Sequence, residues 1–328
     1  MTIDRDISPM TATAAPVANT RGPSPTDRRE HLDDQALARY DVLGVGIELV
    51  SDDPAIVEVI EASYGIFRPD AGETANPSPA VRLSVERTDS GWLVAGGMND
   101  PVTCRSADIA AVATLDRLVD AVQRGLHARG LISIHSASIA TPGGILVIAG
   151  ASGQGKSTLA LGLAHRGFGL LSDELAIVDR DGSVLPYARS VHVRPDTLDL
   201  IPALAFLRER PRLTLGGGSE WAVTPAELRD RWGGTPPTAG RLAAILLLDG
   251  VPGAADPSIA AVSPAIASLE LARSSWAASV EFGATLARLA AATSSVPCAR
   301  LQSGPLEATL DVVTEWLTRA GLAAGTAR

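Results

Sequence analysis

The chain of 328 residues contains few cysteines and no long apolar segment. Cys104 and Cys298 are its two cysteines, and they lie far apart in sequence, so they support neither a disulfide framework nor a cysteine-rich zinc site. No apolar run approaches the roughly 18 residues of a membrane span. The first residues also lack the basic-then-apolar order of a signal peptide. We therefore expect a cytoplasmic protein that does not insert into a membrane.

An excess of positive charge is also missing. The formal net charge is −9 and the sequence pI is about 5.1. A protein that binds nucleic acid or an anionic membrane surface usually presents a basic field, which this composition does not offer. Hydrophobic residues make up 46% of the chain, enough for a sizeable core. The length suits one large domain or two ordinary ones, so a folded protein without a nucleic-acid partner is expected.

Lysine is almost absent, and the position of the one lysine is informative. Lys156 lies in a segment that follows the pattern G-x-x-x-x-G-K-[ST], the phosphate-binding loop. Elsewhere the chain uses arginine, but here it has a compact ammonium group that can reach a β- or γ-phosphate as a point charge. The predicted nucleotide-binding residues are Gly150, Ala151, Ser152, Gly153, Gln154, Gly155, Lys156, Ser157 and Thr158.

The surroundings of the motif are those that the loop requires. Residues 145–149 form a short, wholly apolar run, typical of a strand buried on both faces. Residues 157–165 predict a helix, with Gly167 just after its end. Glycines let the loop direct backbone N–H groups at an anion, and the helix adds its positive end. Ser157 is the expected Mg²⁺ ligand, which makes a nucleoside triphosphate the predicted ligand.

Two nucleotide-binding classes can be weighed against the sequence. A guanine-reading Asn-Lys-x-Asp motif needs a second lysine, which argues against an ordinary GTPase. Residues 215–219 (LGGGS) loosely resemble the signature of ABC transporter ATPases. In that family the signature opens a continuous helix, whereas Pro225 and the pair Pro236-Pro237 would break one here. The ABC-type ATPase is therefore the weakest of the alternatives.

The chain divides into three predicted parts. Residues 1–35 lack periodicity and predict a disordered tail. Residues 36–105 predict a small α+β lobe, with a strand over 42–50, a helix over 53–63 and a hairpin around residues 89–91. Residues 106–323 predict a larger α/β domain that contains the phosphate-loop motif.

The larger domain resembles a known family over about residues 130–180. His135 lies on the strand before the loop, Arg166-Gly167 closes the helix after it, and Asp173-Glu174 follows the next apolar run. This succession resembles the C-terminal domain of HPr kinase/phosphorylase and of HPr-kinase-like serine kinases, related in fold to phosphoenolpyruvate carboxykinase. The true HPr enzymes have an Asp-Asp pair where this chain has Asp173-Glu174, and an Arg-Gly-x-Gly-like segment is missing here. HPr as substrate and phosphorolysis are therefore less well supported than the nucleotide chemistry.

The resemblance implies roles for individual residues. Asp173 is the candidate general base, with Mg²⁺ ligation or the capping of a turn as alternatives. Glu174 is a second metal candidate, although on a continuous strand it would face the other way. His135 either helps to position the phosphates or is a satisfied core residue. An arginine should stabilise the transferring phosphate, and the candidates are Arg189, Arg194 and Arg241.

These observations predict an enzyme. The leading hypothesis is a kinase, using ATP and Mg²⁺, that phosphorylates a hydroxyl group, typically of serine, in a small protein, a peptide or a small molecule. Lys156, Asp173 and His135 are its predicted catalytic residues. The resemblance leaves room for a homo-oligomer. The second hypothesis is a nucleotide-binding switch that regulates a partner without phosphate transfer.

Overall fold

A computed structural model describes residues 36–69, 81–250, 253 and 256–323. The predicted disordered tail, residues 1–35, lies outside the described residues. Helices and β-sheets are combined throughout the rest, which confirms the expected mixed α/β class. Among the helices in these ranges, none is long and apolar enough to cross a membrane.

The first part of the described chain forms a five-stranded sheet packed against two helices. The strands follow one another in chain order, and all neighbours are antiparallel except the second and third, which are parallel. The strands and helices share one hydrophobic core. In chain order the elements are β1 (Ala36–Val42), β2 (Val45–Ser51), α1 (Pro54–Tyr64), a 3₁₀ turn (Gly65–Phe67), β3 (Val81–Thr88), β4 (Gly91–Gly96), β5 (Val102–Cys104) and α2 (Ala107–Ala128).

The prediction of one strand over residues 42–50 was wrong, because this region contains a tight hairpin. Leu43 and Gly44 form the two-residue turn between β1 and β2, with φ values of +54° and +84°. The Gly44 N–H donates to the Asp41 carboxylate at 2.6 Å. Leucine seldom adopts a positive φ, so it gave no turn signal, and the apolar pattern continued unbroken through the bend.

Helix α2 belongs to the core of this first sheet. Its side chains Leu118, Val122 and Leu126 are fully buried and pack with the strands of the five-stranded sheet. The boundary predicted after residue 105 stays a prediction, but the helix that follows it contributes its apolar face to the lobe before it. The lobe therefore depends on chain from both sides of that boundary for its hydrophobic core.

The described residues after α2 form a large sheet of eight strands, a small sheet of three strands, six α-helices and one 3₁₀ helix. The large sheet has the order β10-β9-β6-β7-β14-β16-β15, and β8 pairs with β6. The elements are β6 (Ile132–Thr141), β7 (Gly144–Ala149), α3 (Lys156–His165), β8 (Gly169–Ser172), β9 (Leu175–Val178), β10 (Ser183–Leu185), β11 (Val191–Val193), α4 (Pro195–Leu200), a 3₁₀ helix (Pro202–Glu209), β12 (Leu213–Leu215), β13 (Gly218–Val223), α5 (Pro225–Trp232), β14 (Gly240–Asp249), β15 (Ser258–Ala261), α6 (Pro264–Arg273), α7 (Ala278–Thr293), β16 (Cys298–Gln302) and α8 (Leu306–Arg319).

The centre of the large sheet is parallel and buried on both faces. β7 and β16 each pair in parallel with β14. Along β7, Leu146 and Ile148 pack with helices α3 and α8 on one face. Ile145 and Val147 pack with α6 and α7 on the other. The apolar run 145–149 is therefore confirmed as a doubly buried strand, and it leads directly into the glycine-rich segment.

The segment that resembles an ABC signature forms a β-hairpin. Residues 215–219 connect β12 to β13, and Gly216 and Gly217 turn the chain with φ values of +55° and +81°. An ABC signature would begin a helix at this point. Thr224 caps the N-terminus of α5, where its hydroxyl accepts the N–H of Glu227 at 3.1 Å.

Candidate active site

The glycine-rich loop, residues 150–158, joins the end of β7 to the start of α3. Gly153 and Gly155 have φ values of +80° and +86°, conformations that residues with a Cβ atom rarely adopt. Gly155 is the N-cap of α3, and its carbonyl accepts the N–H of Leu159 at 2.9 Å. The loop thus folds over the positive end of a ten-residue helix, which is the arrangement that binds phosphate groups.

Gly150 allows the loop to lie close to the neighbouring strand. A Cβ atom at this position would lie 2.9 Å from the Cβ of Leu248 on β14 and 2.6 Å from the Gln154 side-chain oxygen. That Gln154 oxygen accepts the N–H of Ala151 at 2.6 Å and braces the loop from inside. A side chain at position 150 would therefore displace the loop from the sheet.

Lys156 lies across the loop instead of extending into solvent. Its Nζ donates to the carbonyl oxygens of Gly150 at 2.8 Å and Ala151 at 3.1 Å. The residue is 7% exposed. Burial lowers the pKa of its ammonium group, and the nearby Asp173 carboxylate opposes that shift. The lysine is thus in the loop, with its charge close to the acidic residue predicted to take part in catalysis.

A turn after β8 places Asp173 and Glu174 beside the loop. The Ser172 hydroxyl accepts the N–H groups of Glu174 at 3.1 Å and Leu175 at 3.0 Å, which ends β8 before β9 begins. The Glu174 carbonyl accepts the N–H of Ser136 on β6 at 3.0 Å. Because the strand is interrupted here, the alternation expected for a continuous strand does not apply to the two acids. We refer to residues 172–175 as the acid turn.

Asp173 is close to the groups with which a catalytic acid or base would work. Desolvation by the surrounding protein raises the pKa of its carboxyl above the usual value, and the Glu174 charge adds to this. Arg189, the Ser157 side chain and His192 act in the opposite direction. The residue keeps part of its surface open to solvent. A half-buried carboxyl with a raised pKa is suited to accepting a proton near neutral pH.

Glu174 is engaged by an arginine. Arg189 Nη1 lies 2.7 Å from Glu174 Oε2, and the two side chains are only 12% and 22% exposed. The Arg189 guanidinium also lies over the ring of Tyr64, 5.7 Å from its centre. The Arg189 charge offsets that of Glu174, and the metal role of Glu174 stays a prediction. The pairing leaves Asp173 as the acid of the turn that is better placed to act on a substrate.

His135 is exposed, so the alternative of a satisfied core histidine is wrong. Its backbone N–H donates to the carbonyl of Ser274 at 2.8 Å, and its partner across the sheet is Leu175 of the acid turn. Partial burial lowers the pKa of its imidazole, the charge of Lys156 lowers it further, and Asp173 raises it. His135 is thus close enough to Lys156 and Asp173 to be influenced by both charges. Its role in positioning the phosphates stays a prediction.

The three candidate arginines occupy different places. Arg189 is beside the acid turn, as described above. Arg194 is exposed and lies 3.7 Å from Asp196. Arg241 precedes Leu242, which pairs with Ile145 at the start of β7, so Arg241 lies at the end of the sheet away from the loop. Its candidacy was therefore wrong, since loop and arginine are at opposite strand ends.

A buried cluster between the first lobe and the acid turn was not predicted. The hydroxyls of Tyr64 and Tyr187 are 2.7 Å apart, and both residues are fully buried. Ser63 Oγ lies 2.8 Å from Nε2 of His192, whose Nδ1 lies 3.1 Å from Glu220. The histidine hydrogen bond lowers the pKa of Glu220. We call Ser63, Tyr64, Tyr187, Arg189, His192 and Glu220 the inter-lobe cluster.

The Ser63–His192–Glu220 arrangement has the order of a nucleophile, a base and an orienting acid. Ser63 is completely buried, however, and its hydroxyl also lies 3.0 Å from the carbonyl oxygen of Val59 on its own helix. A nucleophile needs access to its substrate. The chain of contacts therefore joins the end of α1 to the segment that carries Arg189. The Ser190 N–H donates to the Ser63 carbonyl at 3.0 Å and reinforces this junction.

The side chains near the loop fit a metal ion that arrives with phosphate groups. Ser157 and Asp173 supply oxygen atoms, the ligand type that Mg²⁺ prefers. Within the described residues, no cluster of three or more His, Cys, Asp or Glu side chains could hold a metal. Mg²⁺ is commonly bound by one or two protein ligands together with substrate phosphates and water. Ser157 and Asp173 suit that mode, while Glu174 is paired with Arg189.

Comparison with known proteins adds no relative. The chain matches none of the protein-family models against which it was searched, and no curated protein matches it.

Proposed function

We propose that this protein is a kinase, dependent on ATP and Mg²⁺, that transfers the γ-phosphate to a hydroxyl group. We also propose that its larger domain has the P-loop kinase fold of the HPr-kinase-like proteins. One observation carries the proposal. The half-buried Asp173, with its raised pKa, lies beside the serine and the lysine of a complete phosphate loop. A general base next to a phosphate site is the minimum that phosphate transfer to a hydroxyl requires.

The loop would hold the nucleotide. Its backbone N–H groups and the N-terminus of α3 suit the β-phosphate. Lys156 would exchange the carbonyl oxygens of Gly150 and Ala151 for oxygens of the β- and γ-phosphates. His135, exposed and close to Lys156, would help to orient the γ-phosphate. Mg²⁺ bound with the nucleotide would neutralise phosphate charge, with Ser157 as its protein ligand; Asp173 would bind the metal only if it is not the base.

Asp173 would act on the acceptor. The acceptor oxygen forms a bond to the γ-phosphorus while the bond from that phosphorus to the bridging oxygen breaks, and ADP leaves. The proton of the acceptor hydroxyl passes to the Asp173 carboxylate. The raised pKa strengthens Asp173 as a proton acceptor, provided that the working pH keeps it ionised.

The acceptor would be a serine hydroxyl in a small protein or a peptide, or a small molecule with the same group. This part of the proposal rests on the resemblance of residues 130–180 to HPr-kinase-like proteins. The β-hairpin at residues 215–219 argues against an ABC-type ATPase, since that class needs a helix to begin there.

The proposal is tested by measuring phosphate transfer and nucleotide binding separately. The full chain is incubated with γ-labelled ATP, Mg²⁺ and three acceptors: free serine, a serine-containing peptide library and a small phosphocarrier protein. We expect labelled product from the wild type and a loss of about a hundredfold or more in Asp173→Asn, with nucleotide affinity retained. Asp196→Asn, which changes an exposed carboxylate, is the matched control.

Two results would contradict the proposal. Full transfer by Asp173→Asn would remove the assigned base. A wild type that binds ATP but transfers label to none of the acceptors would favour the nucleotide switch instead.

A further inference from the structure

A cavity lined by charged side chains lies at the end of the large sheet away from the glycine-rich loop. Its volume is about 240 Å³. It is enclosed by the β9–β10 turn, the start of β14 and the C-terminal half of α7. Strand register fixes its position: Leu242 at the cavity pairs with Ile145, whereas Ala149, which leads into the loop, pairs with Leu247. The cavity is thus separated from the loop by the length of β7.

Five charged side chains line this cavity, three arginines and two aspartates. Both aspartates accept a hydrogen bond from a backbone N–H group of their own turn. Asp179 Oδ1 accepts the N–H of Asp181 at 2.9 Å, and Asp181 Oδ1 accepts the N–H of Ser183 at 2.8 Å. These bonds use one oxygen of each carboxylate and shape the β9–β10 turn. Among the residues that the structure describes, neither aspartate forms an ion pair with an arginine of the cavity.

Arg180, Arg241 and Arg288 each keep N–H groups that are not used in the described hydrogen bonds. Within the described part of the chain, none of them forms an ion pair at 4.0 Å or less. Arg180 donates to the carbonyl of Arg129 at 3.5 Å, and Arg288 donates to the carbonyl of Asp179 at 3.4 Å. A guanidinium group carries five N–H donors, so most of them are unused by these described contacts. The three guanidinium charges repel one another, the two aspartates offset part of that repulsion, and a bound anion would offset the rest.

We propose that this cavity binds a compact phosphate-bearing anion, either inorganic phosphate or a small phosphate monoester. The planar fork of arginine matches phosphate oxygens in pairs, which gives both strength and orientation. The cavity is smaller than the roughly 300–1,000 Å³ typical of drug-sized ligands, so a compact anion suits it. With three arginines and two aspartates, the lining has a formal excess of one positive charge, in a chain whose net charge is −9.

Binding must be separated from the glycine-rich loop, which is itself expected to bind phosphate. The full chain carrying Lys156→Ala is therefore titrated calorimetrically with inorganic phosphate and, separately, with glycerol 3-phosphate. We expect binding to persist in this background and to weaken by about tenfold or more when Arg241→Gln and Arg288→Gln are added. Arg273→Gln, which removes an exposed arginine paired with Glu270, is the matched control and should leave binding unchanged. Tighter binding of the monoester would assign an organic phosphate, and equal binding would assign inorganic phosphate.

A second measurement uses the wild type and does not depend on the folding of variants. Phenylglyoxal modification mapped by mass spectrometry should show Arg241 and Arg288 protected by phosphate, while Arg273 reacts equally with and without it. The proposal is wrong if phosphate leaves the reactivity of Arg241 and Arg288 unchanged. It is equally wrong if Lys156→Ala abolishes all phosphate binding.

Discussion

The glycine-rich loop consists of nine consecutive residues, whereas the acid turn depends on residues from distant parts of the chain. Within the loop, the side-chain hydrogen bond from Lys156 to Gly150 joins residues that are six positions apart in sequence. At the acid turn, Arg189 pairs with Glu174 and is held in a cluster in which Ser63 and His192 are 129 positions apart. One half of the candidate site is therefore a property of local sequence, and the other half exists only when both lobes are packed together.

The largest effect is expected from Lys156→Arg. This variant tests whether the loop requires an ammonium group or accepts any positively charged side chain. The lysine Nζ lies between two backbone carbonyls in a space formed by glycines, and a planar guanidinium cannot occupy that position in the same way. We expect phosphate transfer to fall by about a hundredfold or more, with the unfolding temperature little changed. Arg273→Lys is the reverse exchange at an exposed position and should be neutral. Normal transfer by Lys156→Arg would show that local sequence does not define this half.

Arg189→Met should reveal how strongly the acid turn depends on its distant partner. Removing the guanidinium leaves Glu174 partly buried without its ion pair, which costs about 3 kcal/mol in comparable cases. The free energy of unfolding, measured by urea denaturation, checks this value. Adding Glu174→Gln should restore much of the loss, because no charge is then left unpaired. Arg194→Met, an exposed neighbour, should change stability by no more than about 0.5 kcal/mol. An equal loss in Arg189→Met and Arg194→Met would contradict the dependence described here.

Asp173→Asn should increase stability near neutral pH. The pKa of Asp173 is raised in the folded protein, so the folded state binds this proton more tightly than the unfolded chain does. Its stabilising effect is complete below the unfolded pKa of about 3.9 and is lost as pH rises through the raised folded pKa. The variant should therefore melt above the wild type at pH 7, with the difference narrowing toward pH 4. Thermal unfolding between these two pH values measures it, and a lower melting temperature for the variant at pH 7 would refute the raised pKa.

The smallest effect is expected at the tyrosine pair of the inter-lobe cluster. Tyr64→Phe removes one hydroxyl of a buried pair and leaves the other without its tyrosine partner, so a loss of about 1–2 kcal/mol is expected. The double variant with Tyr187→Phe should lose less than the sum of the two single variants, because both polar groups are gone. A double-mutant cycle from urea denaturation gives the coupling. Strict additivity would show that the two hydroxyls do not interact.

The difference between local and long-range contacts also explains which features could be predicted from the sequence. The run 145–149, the loop, helix α3 and the position of Gly167 depend on residues close in sequence, and the structure contains each of them. His135 and Asp173 were placed beside the loop by resemblance, and the structure brings both near Lys156.

The parts that sequence did not predict depend on long-range packing. Tyr64 and Tyr187 have no local pattern that marks them as partners, because α1 and residues 187–192 are brought together by the packing of the two lobes. Arg241 was a candidate because it precedes a late apolar strand. Only the strand register shows that the residue lies at the opposite end. The hairpin at Leu43-Gly44 was missed because a leucine occupies a turn position that normally requires glycine or asparagine.

The single lysine also makes the chain unusually simple to label. Apart from the α-amino group, an amine-reactive reagent has one target in the whole sequence, Lys156. Its lowered pKa increases the fraction of the neutral, nucleophilic amine, while its contacts with the two loop carbonyls restrict the approach of a reagent. The rate of acylation, followed by intact mass, therefore reports directly on whether the loop is closed over its lysine or occupied by a ligand.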